Sequence, residues 1–209
     1  MEYSEKQLKI MEAAEELFSD KGFEGTSVRD IAEAAEVNLA MISYYFGSKD
    51  KLLEALFTYN AQITKEQLST ILNDRQHDPL EKFNILIDYY INRFQRKQCF
   101  QRIMAREQIA EIKGPITKVI TNMKRTNLEL IKGLIQEGQK AGQFKKNIDV
   151  PMMMTTLIGS VNMMFTTKHY YKELNNLQAL SEEQFEQHIK KKLAHHLKSL
   201  FKVTLTHED

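Results

Sequence analysis

Between residues 38 and 49 lie side chains of the kinds that read nucleic acid: Asn38, Leu39, Ala40, Met41, Ser43 and Tyr44, followed by Lys49. By position Asn38, Leu39, Ala40, Met41 and Tyr44 are expected to present to a DNA groove. The Asn38 carboxamide can pair with a base edge, or it can cap a helix that starts after it. Leu39 and Met41 offer apolar contact only, such as with a thymine methyl. Thr26, Ser27, Arg29, Ser43, Tyr44 and Lys49 are the candidates for phosphate oxygens, which fix register without reading sequence. Tyr45 and Phe46 are expected in the core.

No catalytic constellation accompanies them. The chain has no phosphate-binding glycine loop, no HExxH, no GxSxG and no CxxC. His188 and His195 fall seven apart on one helix face, with His196 beside them, but no carboxylate or cysteine joins them at ligand spacing. A solvated or interface face is expected there, as for the KKK run at 190–192. No metal, cofactor or enzymatic activity is expected. Cys99 is the only cysteine, so no intrachain disulfide forms, which fits a cytoplasmic setting. The N-terminus lacks the apolar core of a signal peptide, and no apolar run nears the roughly 20 residues that span a membrane.

The groove residues need elements to hold them. The stretch TSVRDIAEAAEVNLAMISYYFGSKDKL, residues 26–52, supplies these. Ser27 caps a short helix and Asp30 reaches back to it. Val28, Ile31, Ala32 and Ala35 share one face. Glu36 and Val37 turn the chain. Asn38 opens a second helix that stops at Gly47, and Ser48 opens a third. This is helix-turn-helix grammar.

Residues 9–57, KIMEAAEELFSDKGFEGTSVRDIAEAAEVNLAMISYYFGSKDKLLEALF, resemble the N-terminal domain of the TetR family of bacterial transcription regulators. Ala14, Leu17, Phe18, Gly22, Phe23, Thr26, Ile31, Ala32, Val37, Tyr45, Phe46, Lys49 and Leu52 carry the pattern. Glu36 stands where the family usually has glycine, and Ser43 where it usually has tyrosine. The resemblance implies a homodimer on a palindromic DNA operator, released by a small molecule bound in a C-terminal helical domain. Repressor is the expected role. An activator, or a helical ligand-binding scaffold that no longer binds an operator, are the alternatives.

The rest of the chain reads as helices. A first helix is expected over 4–21 and a long one over 48–72. Others follow over 79 onward, 99–112, 115 to about 140, 150–172 and 182–202. The chain holds three prolines and eight glycines, few enough for an all-α fold. The expected architecture is a three-helix DNA-binding domain over 1–50, joined by the long helix to a helical ligand-binding and dimerisation domain over 51–209. Phe83, Tyr90, Phe94, Phe100, Met104 and Met123 are candidates for lining an apolar ligand pocket. The methionine-rich helix over 150–172 is apolar in most directions, so it needs partners on several sides. Gly159, Met163, Phe185, Ile189, Leu193 and Leu197 are the candidates for a dimer seam. Charge is uneven: residues 1–60 hold six basic and twelve acidic side chains, the remainder 23 and 16. An acidic DNA-binding half should weaken non-specific binding, since phosphate contacts dominate it.

Overall fold

The structure, a computed structural model, describes residues 3–109 and 115–207. Helices account for its regular structure: α1 Glu5–Lys21, α2 Val28–Ala34, α3 Leu39–Phe46, α4 Lys49–Leu72, α5 Pro79–Arg96, α6 Gln98–Ile109, α7 Pro115–Lys140, α8 Val150–Thr166, α9 Lys168–Leu174 and α10 Glu182–Leu205. Among the described residues, extended pairing is limited to one antiparallel bridge, Phe144 to Thr206. No helix among them is long and apolar enough to cross a membrane. The expected Gly114–Pro115 break begins outside the described residues; α7 opens at Pro115, whose missing N–H suits a first helical turn.

The chain divides into two compact units. The first holds residues 3–65 together with the described residues of 97–125. Its core takes Ile10, Ala14 and Phe18 from α1, Ile31 from α2, Ile42 and Phe46 from α3, and Leu52, Leu56 and Phe57 from α4. Phe100, Ile103 and Met104 of α6 complete it, with Ile120 of α7. The Phe57 and Phe100 rings meet at 5.1 Å. This unit runs past residue 50, where the first domain is expected to end, and takes in α6. The stripe on α6 shows that the helix buries one face, but not which core receives it.

Polar contacts reinforce the α1–α6 packing. Arg106 Nη1 donates to the carbonyls of Phe18 (3.1 Å) and Ser19 (2.7 Å) at the end of α1. The Phe18 carbonyl also accepts from the Gly22 N–H at 3.1 Å, and carbonyls in the last turn of a helix are open to such added donors. Lys97 lies 3.7 Å from the buried Glu15 carboxylate, and Arg102 3.7 Å from Asp20. Residues 97–125 bring seven basic and two acidic side chains, offsetting much of the acidity of residues 1–60.

The second unit holds residues 66–96 and 126–207. Its core is built from Phe83, Leu86, Ile87, Tyr90, Ile91 and Phe94 of α5, the apolar stripe of α7, Met153, Met154, Leu157 and Val161 of α8, and Leu193, Leu197, Phe201 and Leu205 of α10. Lys82, 4% exposed, pairs with Glu137 at 2.8 Å and ties α5 to α7. Lys198 pairs with Asp88 at 2.6 Å and ties α10 to α5. At Gly138 a Cβ would fall 2.1 Å from the Phe144 ring, so only glycine lets that ring seat. The helix expected over 150–172 is two helices. Thr166 and Thr167 both donate their hydroxyls back to the carbonyl of Met163, and Thr166 also to that of Asn162. Side chains that bond the backbone in this way compete with helix continuation.

Candidate nucleic-acid interface

The site begins at Ser27. Its backbone is extended, its hydroxyl oxygen accepts from the Asp30 N–H at 3.2 Å, and the Asp30 carboxylate accepts from the Ser27 N–H at 2.9 Å. Those donors, the Ser27 backbone first and its hydroxyl second, hold the Asp30 carboxyl below its usual range. Arg29, in the first turn of α2, is exposed.

The turn between α2 and α3 places Glu36 at φ 51°, the left-handed region in which glycine carries no Cβ penalty. The Val37 N–H donates to the Ala32 carbonyl at 2.9 Å and closes the turn. The Glu36 carboxylate lies 2.6 Å from the Lys9 ammonium of α1, which holds its carboxyl below the usual range. A helix-turn-helix turn is therefore made here without glycine.

Asn38 caps α3: its side-chain oxygen accepts from the Ala40 N–H at 2.9 Å. Of the two readings of Asn38, the capping one is realised. Ile42 and Phe46 are buried and Tyr45 packs against the same core. The opposite face carries Asn38, Leu39, Ala40, Ser43 and Tyr44, all exposed, with Met41 half-buried. Tyr44 is 81% exposed and touches only Tyr45 among the rings, at 5.1 Å. Gly47, at φ 80°, ends the helix.

Two of the expected phosphate contacts, Thr26 and Lys49, also make hydrogen bonds within the chain. Thr26 is buried, and its hydroxyl donates to the carbonyls of Gly22 (2.8 Å) and Leu17 (3.2 Å). The Lys49 ammonium donates to the carbonyls of Phe23 (2.8 Å) and Thr26 (2.9 Å) and lies 4.2 Å from the centroid of the Phe23 ring. Sequence reasoning missed the internal bonds of Lys49, Lys9 and Arg106 because each joins residues far apart in the chain, and that of Thr26 because it depends on how the loop after α1 folds back.

The other expected sites divide as well. Phe83, Tyr90 and Phe94 belong to the core of the second unit, whereas Phe100 and Met104 belong to that of the first, with Met123 packed against it. The six thus divide between the two cores. Burial pushes the Tyr90 hydroxyl well above its usual range. Of the seam candidates, Phe185, Ile189, Leu193 and Leu197 are each 3% exposed or less within the single chain, so they are core and not seam. Gly159 is exposed and open, and Met163 is 60% exposed.

A capped, exposed second helix standing on a small shared core is the arrangement with which DNA-binding proteins enter a major groove. Residues 10–56 match the model for bacterial regulatory proteins of the tetR family, and residues 79–193 match that for the tetracyclin repressor-like C-terminal domain. The chain belongs to the TetR family, and it is a DNA-binding transcriptional regulator. It is 28% identical over 171 residues to the HTH-type transcriptional regulator YttP of Bacillus subtilis, covering 81% of this chain and 82% of that one. Its fold is that of a transcriptional regulator from Saccharomonospora viridis in complex with choline (TM-score 0.77, 17% identity, 99% of this chain and 100% of that one). It is also that of FadR from Bacillus subtilis in complex with stearoyl-CoA (TM-score 0.68, 19% identity, 92% and 97%).

Proposed function

We propose that the protein is a homodimeric repressor that binds a partly palindromic operator and leaves it when a small apolar molecule enters its second unit. The observation that carries the reading is the exposed face of α3. Asn38, Leu39, Ala40, Ser43 and Tyr44 stand in solvent on a helix whose other face is anchored by Ile42 and Phe46. Such a face suits base edges and phosphates, with Arg29 close by in sequence on the capped α2.

The ligand part rests on the second unit. Its core holds Met153 and Met154, with Met164 packed against it, and methionine adapts to irregular apolar shapes. Inside that unit the Tyr89 hydroxyl and the Asn127 side-chain oxygen have no hydrogen-bond partner among the described residues. Buried polar atoms of this kind are satisfied by a bound molecule or an ordered water. Two relatives of like fold were crystallised with stearoyl-CoA and with choline. Helices α4 and α7 each run from one unit into the other, so a ligand that shifts them changes the spacing of two recognition helices. Release then requires the ligand to favour the DNA-incompetent state by a few kcal/mol.

The test is fluorescence anisotropy on duplexes selected from a random pool, titrated with a panel that includes stearoyl-CoA, other acyl chains and choline. Selective binding reversed by a panel member, with a raised melting temperature, is the expected result. Binding that no compound alters would contradict the ligand-released repressor.

A further inference from the structure

We propose that α3 reads its operator through the C5-methyl groups of thymine, with Leu39, Ala40 and Met41 as the residues that set specificity. The N-terminal residues of a recognition helix are the ones that meet base edges. In α3, LAMISYYF, these residues are apolar, and the helix holds no charged side chain and no carboxamide. Leu39 is 39% exposed, Ala40 is exposed and Met41 is half-buried. Ile42 and Phe46 anchor the helix in the core, so its first turn is presented on a fixed support.

In the major groove the apolar feature of a base edge is the thymine methyl. A guanine edge asks for the paired donors of Arg or Lys, and α3 has neither. An adenine edge asks for the oxygen and the nitrogen of Asn or Gln together. Asn38 stands at the rim of the helix, but its oxygen accepts from the Ala40 N–H at 2.9 Å, and turning the carboxamide towards adenine gives up that cap. The hydroxyls of Ser43 and Tyr44 lie one turn further along, after Leu39 and Ala40. Apolar side chains also reject. Laid on a guanine–cytosine pair, they strip water from O6 and N4 and return no hydrogen bond. Laid on thymine, they cover a methyl that has no such bond to lose. The contact is uncharged and releases no counterions, so it is insensitive to salt.

Methyl readout rests on the operator-binding reading, and a duplex selected from a random pool by the wild-type protein tests the two apart. Each thymine of one half-site is exchanged singly for uracil, which keeps its pairing and its O4 and loses only the C5-methyl. Fluorescence anisotropy should show binding weakened about fourfold at each contacted position, the order set by burying one methyl group, and by the same factor across a KCl series. Exchanging that pair for cytosine–guanine should cost more, and 5-methylcytosine–guanine in its place should recover about the methyl's fourfold share. Leu39→Ala and Met41→Ala should each abolish the uracil penalty at one position and keep it at the others, which a merely structural role would not do. The uracil series needs no variant, so it stands if Leu39→Ala fails to fold. Uracil tolerated without loss at every thymine would overturn methyl readout. So would a penalty that both variants leave at full size at every position. A wild-type protein that selects no sequence from the pool would instead count against operator binding.

Discussion

Replacing Met163 by glutamate should separate association from folding. Within one chain Met163 is 60% and Met152 62% exposed, and Gly159 between them is open. With the exposed Thr156 they form a strip at steps of three and four along α8. Two-fold pairing lays such a strip on its own copy, so each methionine counts twice. Burying a whole methionine side chain stabilises by about 1.5–3 kcal/mol; the exposed three-fifths of Met163, taken on both chains, gives about 2–4 kcal/mol. That corresponds to a dissociation constant weaker by about 30- to 1000-fold. Glutamate adds the cost of desolvating two carboxylates that face each other. Leu193→Ala should do the opposite. Leu193 is 3% exposed in its own chain, so its truncation should cost about 2–5 kcal/mol of folding stability and leave the association strip intact. Sedimentation equilibrium over a concentration series reads the first effect, and thermal melting by circular dichroism reads the second. A Met163→Glu protein that remains dimeric at wild-type strength would refute the strip. So would a Leu193→Ala protein that melts as wild type yet sediments as a monomer.

Gly138→Ala should lower stability by about 1–3 kcal/mol, because the added methyl overlaps the buried Phe144 ring; an unchanged melting temperature would contradict the packing. Removing the Glu137 carboxylate leaves the Lys82 ammonium buried and unpaired, so Glu137→Gln should cost about 1–3 kcal/mol and more than Lys82→Met; denaturant titrations showing the reverse order would refute this. The lowered Asp30 carboxyl means that the α2 cap contributes its full stability above the ordinary value of 3.8 and loses it as pH falls through the lower folded value. Amide protection at the start of α2 should decline in that acid window, and Asp30→Ala should lack the step; protection flat across it would contradict the cap.

Local signals were the legible ones. Ser27 with Asp30, Asn38 before α3, Gly22 and Gly47 after helices, and the prolines at 79 and 115 each act within a turn of the chain, so sequence spacing alone locates them. The exposed face of α3 followed from the same spacing. What failed was assignment between distant segments. The α10 stripe is assigned by sequence to a dimer seam, whereas the second unit's packing makes Leu193 and Leu197 core. The aromatic and methionine residues grouped as one pocket belong to two cores, since an apolar stripe does not name its partner. The hydrogen bonds from Lys49 to the Phe23 and Thr26 carbonyls cross more than twenty residues, so sequence spacing does not reveal them. The break at Thr167, where Thr166 and Thr167 both bond back to the Met163 carbonyl, carries no glycine or proline to mark it in the sequence.

A hydroxyl-radical footprint on a duplex selected from a random pool tests the central claim most directly. Two α3 helices presented by a two-fold dimer should protect two related half-sites, with centres one helical turn (~34 Å) or a multiple apart, and Met41→Ala should change the sequence recovered. Protection of a single half-site by one chain, or protection without sequence preference, would contradict a dimeric operator-binding protein.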